Sequence, residues 1–372
     1  MDTRIEFLYL SEQDTINAGV NDAQQSVAVC REVFKLLAAG DYLMGGSSHN
    51  SHGMGLIFPK ESPFPNMPLA GPDRRFFAMP AYLGGKFDIC GNKWYGSNAA
   101  NTAKGLPRSI LTMILNDKDT GAPLCMMSAN LLSAARTGGV PGVAASELAR
   151  KDSKTAAVIG CGPINRSCIR HILSQMPNIE RVLCFDLFLE MAEATAQWLT
   201  QTFSVAAEAT DRLELAIRSA DVVSVAASRL KPLFIDSSWL RKGATVLLTG
   251  PASGDEAFWT GSKIVLDHIG LHHTYVSEAI ESGNKQAYYD SVIGGPIYRL
   301  IDSGKLPPLD DFTSIGQILN GEKTGRTNED DIYIFVACGM GVFDVGLGYQ
   351  VYQNAKERGI GQKLLLWDKP AL

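Results

Sequence analysis

Residues 154–186 read KTAAVIGCGPINRSCIRHILSQMPNIERVLCFD. The four apolar residues 156–159 form a run typical of a buried parallel strand, and the run stops at Gly160-Cys161-Gly162. Apolar residues then recur at helical spacing, and a second apolar run, residues 182–185, ends at Asp186. The stretch therefore predicts a strand, a glycine turn, a helix, a second strand and an acidic residue, in that order.

That order is typical of a dinucleotide-binding β-α-β unit. Gly160 permits the tight turn, Gly162 lets the backbone approach a pyrophosphate, and Pro163 and Ile164 open a helix whose N-terminal N–H groups attract anions. A carboxylate at Asp186 accepts hydrogen bonds from both ribose hydroxyls of NAD and repels the 2′-phosphate of NADP. We expect NAD as the cofactor, against the alternative that the glycines only make a turn.

The fingerprint departs from the usual pattern at its third glycine, where this chain has Asn165. Because a side chain there stands between helix and strand, we expect the two to pack less closely than in the usual Gly-x-Gly-x-x-Gly motif. The flanking strands and the terminal acid, rather than the glycines alone, carry the prediction.

The composition favours a protein that binds a small molecule. The chain has 372 residues, which suggests about two domains, and its net charge is -5 with no basic cluster. Nucleic acid and an anionic membrane are therefore not expected as partners. No apolar run approaches the roughly 18 residues of a membrane span, and the N-terminus has no signal-like pattern, so we expect a soluble, cytoplasmic protein.

The cysteines and histidines do not form a motif for disulfides or metal. The seven cysteines are scattered, mostly within apolar runs and without Cys-x-x-Cys spacing, so we expect reduced core residues. His49 and His52 lie in a stretch rich in glycine and proline, and His268, His272 and His273 form a loose group. We expect both groups at the surface rather than as ligands, so no metal is predicted.

Outside residues 154–186 the chain shows two kinds of pattern. Residues 1–135 contain several strand-like runs with few helices between them, which predicts a mostly antiparallel sheet of the α+β class. A helix over residues 131–149, interrupted at Gly138-Gly139 and Pro141, leads into alternating strands and helices. We therefore expect an α/β Rossmann domain, a doubly wound sheet of six strands at 136–329, inserted in a substrate-binding and dimerisation domain at 1–135 that 330–372 completes.

Two residues stand out in this arrangement. The bridging helix carries Arg136 among small apolar residues, and its guanidinium fork fits a carboxylate or a phosphate, with a buried salt bridge as the alternative. Thr249 follows the fifth strand of the predicted Rossmann sheet, at the carboxyl end where such sheets bind ligands. Both are candidate cofactor-binding residues, and Arg136 is also a candidate substrate-binding residue.

Four motifs together resemble the ornithine cyclodeaminase/mu-crystallin family. They are GNKWYG at 91–96 with KGLP at 104–107, SAARTG at 133–138, VIGCG at 158–162 and CGMGVFD at 338–344. The resemblance covers nearly the whole chain. Residues 78–94 look closest to the branch of siderophore-type amino-acid dehydrogenases, and the whole chain also resembles sequences of the tyramine oxidase type within that family.

The resemblance implies a substrate domain built from both chain ends, a Rossmann domain between them, and a homodimer joined through the substrate-domain sheets. It also implies oxidation of an amino acid at its α-carbon, or the reverse reaction, with the nicotinamide between the domains. Lys93 matches the family's substrate lysine, and Arg136 matches the arginine that holds the α-carboxylate. A lysine there is a positioned cation or an acid/base, and the alternative is a solvated strand lysine.

The chain departs from the family at two acidic positions. Where the cyclodeaminases carry an aspartate after the fifth Rossmann strand, Ala252 stands here, and Asp255 lies three residues on as a candidate replacement. The carboxylate expected just before Met79-Pro80 is replaced by Phe77. Arg75, beside the same loop, is a candidate third cation for the substrate. These departures disfavour ring closure with loss of ammonia.

The sequence thus predicts an NAD-dependent oxidoreductase that acts on the α-carbon of an amino acid or of an imino or N-substituted amino acid. Lys93 and Asp255 are its candidate catalytic residues. Two alternatives stay open: cyclodeamination of the ornithine type, in which the hydride returns to the product, and a mu-crystallin-like protein that only binds a dinucleotide and a small ligand.

Overall fold

The computed structural model describes residues 3–227 and 232–371, which form two compact units. The terminal unit contains the described residues up to Asp22, then Gly40–Ser133 and the described residues from Met340 onward. The central unit contains Ala23–Ala39 and the described residues of Ala134–Gly339. None of the described helices is both long and apolar enough to cross a membrane.

The described residues form eighteen strands and twelve α-helices. The strands are β1 (Ile5–Leu10), β2 (Tyr42–Met44), β3 (Met54–Ile57), β4 (Arg75–Leu83), β5 (Ile89–Ser97), β6 (Ser109–Asn116), β7 (Pro123–Ser128), β8 (Thr155–Ile159), β9 (Arg181–Phe185), β10 (Ala206–Thr210), β11 (Val222–Val225), β12 (Leu233–Ile235), β13 (Thr245–Leu248), β14 (Ala252–Gly254), β15 (Lys263–Leu266), β16 (Thr313–Ser314), β17 (Tyr333–Val336) and β18 (Gln362–Trp367). The α-helices are α1 (Glu12–Asn17), α2 (Ala23–Ala39), α3 (Asn130–Leu148), α4 (Pro163–Gln175), α5 (Leu189–Thr202), α6 (Leu213–Arg218), α7 (Glu256–Thr260), α8 (Ile269–Glu281), α9 (Lys285–Ser291), α10 (Gly295–Asp302), α11 (Ile315–Leu319) and α12 (Gly341–Arg358). Short 3-10 helices span Ala99–Lys104, Ser237–Trp239 and Leu309–Asp311.

The terminal unit is a mixed sheet with α12 on one face. The strand order is β18-β1-β7-β6-β5-β4-β2, with β3 also paired to β4. The β1–β7 pair is parallel, whereas the other pairs are antiparallel. Residues of β4 and β5 alternate over most of their length between buried and more exposed positions, because α12 covers one face of these strands. We call that face the inner face.

The central unit is a parallel sheet in the order β10-β9-β8-β11-β13-β17-β15-β16, with β12 and β14 paired separately. Every pair in the large sheet is parallel, and the strands at its centre are buried except for Thr155 at the start of β8, as expected when helices cover both faces. The order from β10 to β13 is that of a doubly wound sheet. The predicted fold class, a Rossmann sheet inserted in an α+β unit, is confirmed.

The boundaries of the two units differ from the predicted ones. The sequence placed the end of the Rossmann domain at residue 329, whereas the central unit continues to Gly339. The reason is β17, whose residues are all buried and which pairs with β13 and β15. Together with the short strand β16, which pairs with β15, it gives the large sheet eight strands rather than the predicted six. In addition, α2 belongs to the central unit, and the other boundary falls between Ser133 and Ala134 within α3.

The bridging helix α3 runs without a break through Gly138, Gly139 and Pro141, where the sequence predicted an interruption. A Cβ at Gly138 would lie 2.6 Å from the carbonyl oxygen of Ser167, and one at Gly139 would lie 3.1 Å from that of Ser26. These glycines therefore allow α4 and α2 to approach α3 closely inside the central unit, instead of ending the helix.

Candidate functional site

The glycine turn joins β8 to α4 in the central unit. Gly160 has φ +87°, and a Cβ there would lie 2.9 Å from the Cα of Ala227, so the turn requires glycine. Gly162 is the N-cap residue of α4 without a side-chain cap, Pro163 follows it, and a Cβ at Gly162 would meet no described atom within 4 Å. The N–H groups at the start of α4 are thus open to an anion such as a pyrophosphate.

Asp186 directly follows β9 and lies beside the glycine turn. Its Oδ2 accepts a hydrogen bond from the N–H of Cys161 at 2.7 Å, and its Oδ1 accepts one from the N–H of Phe188 at 3.2 Å. The residue is partly exposed. Its carboxylate therefore lies at the carboxyl end of the sheet, where an acid that binds a ribose is expected.

The third position of the fingerprint holds a buried amide that fills the space between helix and strand. Asn165 is fully buried, and its Nδ2 lies 2.9 Å from the carbonyl oxygen of Ile159 and 2.8 Å from that of Gly160. Its Oδ1 accepts a hydrogen bond from the Oγ of Ser224 at 2.6 Å. The amide links the end of β8 to β11, with hydrogen bonds worth roughly 1 kcal/mol each. The volume of a side chain at this position predicts looser packing of helix and strand, but these hydrogen bonds join the two.

Thr249 and Ile164 lie near the same end of the sheet. Thr249 follows β13, and its Oγ1 donates to the carbonyl oxygen of Val225 at 3.2 Å and lies 3.5 Å from the Sγ of Cys168. Burial raises the pKa of the Cys168 thiol to about 12, so this thiol stays protonated near neutral pH. Ile164 is 37% exposed. Contacts of Thr249 and Ile164 with a cofactor stay predictions.

In the terminal unit, Lys93 and Asp344 form a buried ion pair. The Nζ of Lys93 lies 2.8 Å from the Oδ2 of Asp344 and 3.3 Å from the Oγ of Ser133, and the side chains of Lys93 and Asp344 are 2% and 0% exposed. Lys93 projects from β5 on the inner face, and Asp344 lies in the first turn of α12. The pair therefore fixes a charged ammonium group at the start of α12.

The sequence identified Lys93 but not Asp344 as a site residue. Asp344 closes the motif CGMGVFD, and an acid in the first turn of a helix is by itself explained by the helix dipole. Lys93 and Asp344 are 251 residues apart along the chain, so no local pattern predicts that they form an ion pair. Only the packing of α12 onto β5 brings the two charges together.

Arg75 lies at the start of β4, on the same inner face as Lys93. In the register of β4 and β5, Arg75 is opposite Ser97 and Met79 is opposite Lys93. The Nη2 of Arg75 lies 3.1 Å from the Oδ1 of Asp73, and the arginine side chain is 42% exposed. The structure therefore places two of the predicted substrate-binding cations along one face of the terminal sheet.

Arg136 lies in the part of α3 that belongs to the central unit and is 7% exposed. Its carbonyl oxygen accepts a hydrogen bond from the Sγ of Cys30 at 3.6 Å, which helps to hold α2 against α3. A buried guanidinium suits both a ligand for a carboxylate and a partner in a structural ion pair. Its role therefore stays a prediction.

Asp255 is the N-cap residue of α7 in the central unit. Its Oδ1 accepts hydrogen bonds from the N–H groups of Phe258 at 2.9 Å and Ser237 at 3.3 Å, and its Oδ2 accepts one from the Oγ of Ser237 at 2.7 Å. Both carboxylate oxygens thus have a structural task. Ala252, at the family's acidic position, is 2% exposed. The catalytic role of Asp255 stays a prediction, and the observed N-cap is the alternative role of the same carboxylate.

A buried polar network lies at the ends of β15 and β17 in the central unit. His272 is fully buried, contrary to the surface position that the sequence predicted, because α8 turns it inward. Its Nδ1 lies 2.7 Å from the Oη of Tyr298 and its Nε2 lies 3.0 Å from the Oδ1 of Asp267, whose Oδ2 accepts from the N–H of Cys338 at 2.7 Å. Asp267, His272 and Cys338 are also spaced as metal ligands could be. Their hydrogen bonds link β15, α8 and β17, and this structural role accounts for the buried polar groups without a metal ion.

The family model described as "Ornithine cyclodeaminase/mu-crystallin family" matches residues 20–359. N-((2S)-2-amino-2-carboxyethyl)-L-glutamate dehydrogenase of Staphylococcus aureus is 29% identical, over 97% of this chain and 99% of that protein. Alanine dehydrogenase of Archaeoglobus fulgidus is 30% identical, over 77% of this chain and 82% of that protein.

Solved structures of similar fold cover the chain almost completely. The Thermococcus litoralis Delta(1)-pyrroline-2-carboxylate reductase, in complex with NADH and L-proline, has a TM-score of 0.79 and 24% identity, over 96% of this chain and 100% of that one. An archaeal alanine dehydrogenase dimer with bound NAD has a TM-score of 0.77 and 25% identity, over 98% of this chain and 100% of that one.

Proposed function

Since this chain belongs to the ornithine cyclodeaminase/mu-crystallin family, we propose that it is an NAD-dependent oxidoreductase that moves a hydride between nicotinamide and the α-carbon of an amino acid. The reduced partner is the amino acid or an N-substituted amino acid, and the oxidised partner is the corresponding imino acid. The buried Lys93–Asp344 pair carries the proposal, because it holds a fixed cation in the unit that the family uses for its substrate. The two similar dehydrogenases act on compounds of this class by name.

The residues of the glycine turn fit a dinucleotide. The space at Gly162 and the uncapped start of α4 suit a pyrophosphate, and Asp186 suits the ribose hydroxyls of NAD. Pro163, Ile164, Thr249 and Arg136 complete the proposed cofactor-binding set. When bound, the dinucleotide supplies or accepts the hydride.

The substrate is held by its charges. Lys93 attracts the α-carboxylate, and Asp344 and Ser133 keep the ammonium group of Lys93 in one position. Arg136 is the second proposed ligand of that carboxylate, through its bidentate fork. In the oxidative direction the α-carbon loses a hydride and the amine loses a proton, which yields the imine.

The test is to follow NADH absorbance together with the products for a panel of amino acids, and of oxo acids with amines. Net formation or consumption of NADH supports the oxidoreductase. Product without a net change in NADH supports cyclodeamination, and neither product nor NADH change, with both ligands bound, supports a binding protein of the mu-crystallin type. Cyclodeamination is less favoured, because Ala252 and Phe77 occupy the family's acidic positions and Asp255 caps α7.

We also propose a homodimer, located in the cytoplasm, that forms through the terminal sheet. The face opposite α12 exposes large apolar side chains at 36% to 51%: Tyr9, Phe76, Trp94, Ile110 and Met126. Such a patch marks an interaction surface, and the similar alanine dehydrogenase is described as a dimer. Light scattering coupled to size exclusion should give twice the chain mass, and Trp94→Glu should shift it toward the monomer. A monomeric wild-type protein would contradict the proposal.

A further inference from the structure

A row of cations and aromatic rings extends along the inner face of the terminal sheet, past the start of α12. Gly341 lies against Met79, the residue opposite Lys93, and α12 runs from there toward Phe87, whose ring contacts Tyr349. The opposite part of the inner face, which carries Phe77 and Tyr95, is therefore not covered by this helix. Both of these side chains are partly exposed.

Two stacked rings form the floor of this row. Phe77 and Tyr95 are paired across β4 and β5, with ring centroids 5.7 Å apart and planes 11° apart. The Nζ of Lys93 lies 5.8 Å from the Tyr95 ring centroid, and the Cζ of Arg75 lies 5.1 Å from that of Phe77. The row thus has a cation at each end and an aromatic platform between them.

The Arg75 end contains a second arginine. Asp73 lies between the two, with Oδ1 3.1 Å from the Nη2 of Arg75 and Oδ2 3.2 Å from the Nε of Arg108, and it also accepts a hydrogen bond from Ser97. Asp73 has φ +51°, an unusual conformation for a residue with a side chain, and such strain often marks a functional position. Two arginines and one aspartate leave this cluster with a net charge of about +1 at neutral pH.

Donors of the cluster remain for a ligand. The Nε of Arg75 is buried and has no hydrogen-bond partner among the described residues. Arg108 is 52% exposed and meets Asp73 through its Nε, whereas a guanidinium carries five N–H donors. Because a buried donor without a partner is costly, a ligand that satisfies it gains affinity and specificity.

We propose that Arg75 and Arg108 form a subsite for a second carboxylate of the substrate, and this rests on the function proposed above. Lys93 and Ser97 are four residues apart on β5, roughly 13 Å at the usual rise of a strand, and both long cations lean over the rings between them. The row therefore fits an amino acid with a second carboxylate on its side chain or on an N-substituent. The carbon chain of such a substrate lies over Phe77 and Tyr95. An amino acid with one carboxylate leaves the Arg75 end without a ligand.

The experiment measures binding without turnover, by calorimetry in the presence of saturating NADH. The probes are matched pairs that differ in one carboxylate: L-glutamate and L-glutamine, L-aspartate and L-asparagine, and the N-carboxymethyl derivatives of glutamate and glutamine. For at least one pair the diacid should bind about tenfold more tightly or better, as expected for charge-assisted hydrogen bonds.

Three variants assign that preference to residues. Arg75→Gln and Arg108→Gln should each reduce it to below about threefold, whereas Arg74→Gln should keep it. The variant Arg74→Gln is the matched control, because it removes the same charge one residue away from Arg75. The guanidinium of Arg74 contacts the Leu69 carbonyl oxygen and the Phe58 ring instead of the proposed subsite. Melting temperatures show that each variant is folded, and the two target arginines serve as independent tests.

The proposed subsite is overturned if the wild-type protein prefers none of the diacids. This holds whether both members of a pair bind equally or neither binds. Equal loss in Arg74→Gln and Arg75→Gln overturns it as well, because a general electrostatic effect then explains the preference. The proposed function fails separately, if no amino or imino acid of the panel changes the amount of NADH.

Discussion

The two ends of the inner-face row hold ion pairs of opposite kinds. Lys93 and Asp344 are 2% and 0% exposed, whereas Arg75 and Asp73 are 42% and 19% exposed. A buried pair is costly to break, since the remaining charge has lost its hydration, whereas an exposed pair contributes little to stability. The buried pair is therefore suited to fix geometry, and the exposed pair is suited to exchange its partner for a ligand.

The largest effect is expected where one charge of the buried pair is removed. Lys93→Met should lower the free energy of unfolding by about 3 to 5 kcal/mol, because Asp344 stays buried without a partner, and it should abolish turnover. Urea unfolding measures the first effect and the NADH assay the second. The double variant Lys93→Met, Asp344→Leu should recover much of the stability without recovering turnover.

Lys118→Met provides the control for this prediction. Lys118 forms ion pairs with Asp119 and Asp88 but is 30% exposed, so its loss should change the free energy of unfolding by less than about 1 kcal/mol. A similar small loss in Lys93→Met would show that the Lys93–Asp344 pair is not the desolvated anchor described above.

Variants of Arg136 test whether this buried cation binds the substrate or stabilises the fold. If it holds the substrate carboxylate, Arg136→Ala should lower kcat/KM about a hundredfold while NADH still binds, because charge-assisted hydrogen bonds contribute roughly 1.5 to 3 kcal/mol each. Arg136→Lys should also impair turnover, since it keeps the charge but loses the fork. An Arg136→Ala variant that melts early but keeps its kcat/KM at low temperature would assign the residue to a structural ion pair instead.

Asp186 is a partly exposed acid at the proposed cofactor site, unlike the buried Lys93–Asp344 pair. NADH should bind at least about tenfold more tightly than NADPH, since a carboxylate beside a phosphate loses hydrogen bonds and adds repulsion. Asp186→Ser should shrink that ratio, and it should also lower the melting temperature, because the carboxylate accepts the N–H groups of Cys161 and Phe188. Fluorescence titration of both cofactors measures the ratio, and equal affinities in the wild-type protein would refute the assignment of Asp186.

The smallest effect is expected at Asp255, where the cap and the catalytic role compete. As an N-cap, Asp255→Ser should cost only a few tenths of a kcal/mol and Asp255→Ala about 1 kcal/mol, because serine also caps helices. As a catalytic acid, both variants should lose kcat alike. Thermal unfolding and kcat measured on the two variants therefore separate the roles, and serine rescue of kcat would exclude a carboxylate function.

The sequence determined the features that are local along the chain. Gly160, Gly162 and Asp186 follow one another within a single β-α-β unit, so their order alone predicted the glycine turn and its acid. The fold class was confirmed for the same reason, because strand and helix periods are properties of short segments. Family membership was recognisable because its motifs are continuous stretches, and the family model confirmed it.

Tertiary structure alone decided which distant residues meet. The run at 333–336 looked like a return to the terminal domain, but pairing with β13 and β15 makes it a strand of the central sheet. The packing of α12 on the terminal sheet pairs Asp344 with Lys93. The folding of the terminal unit likewise places Asp73 between Arg75 and Arg108. Pairing and burial depend on contacts between segments far apart in the chain, which periodicity and spacing do not encode.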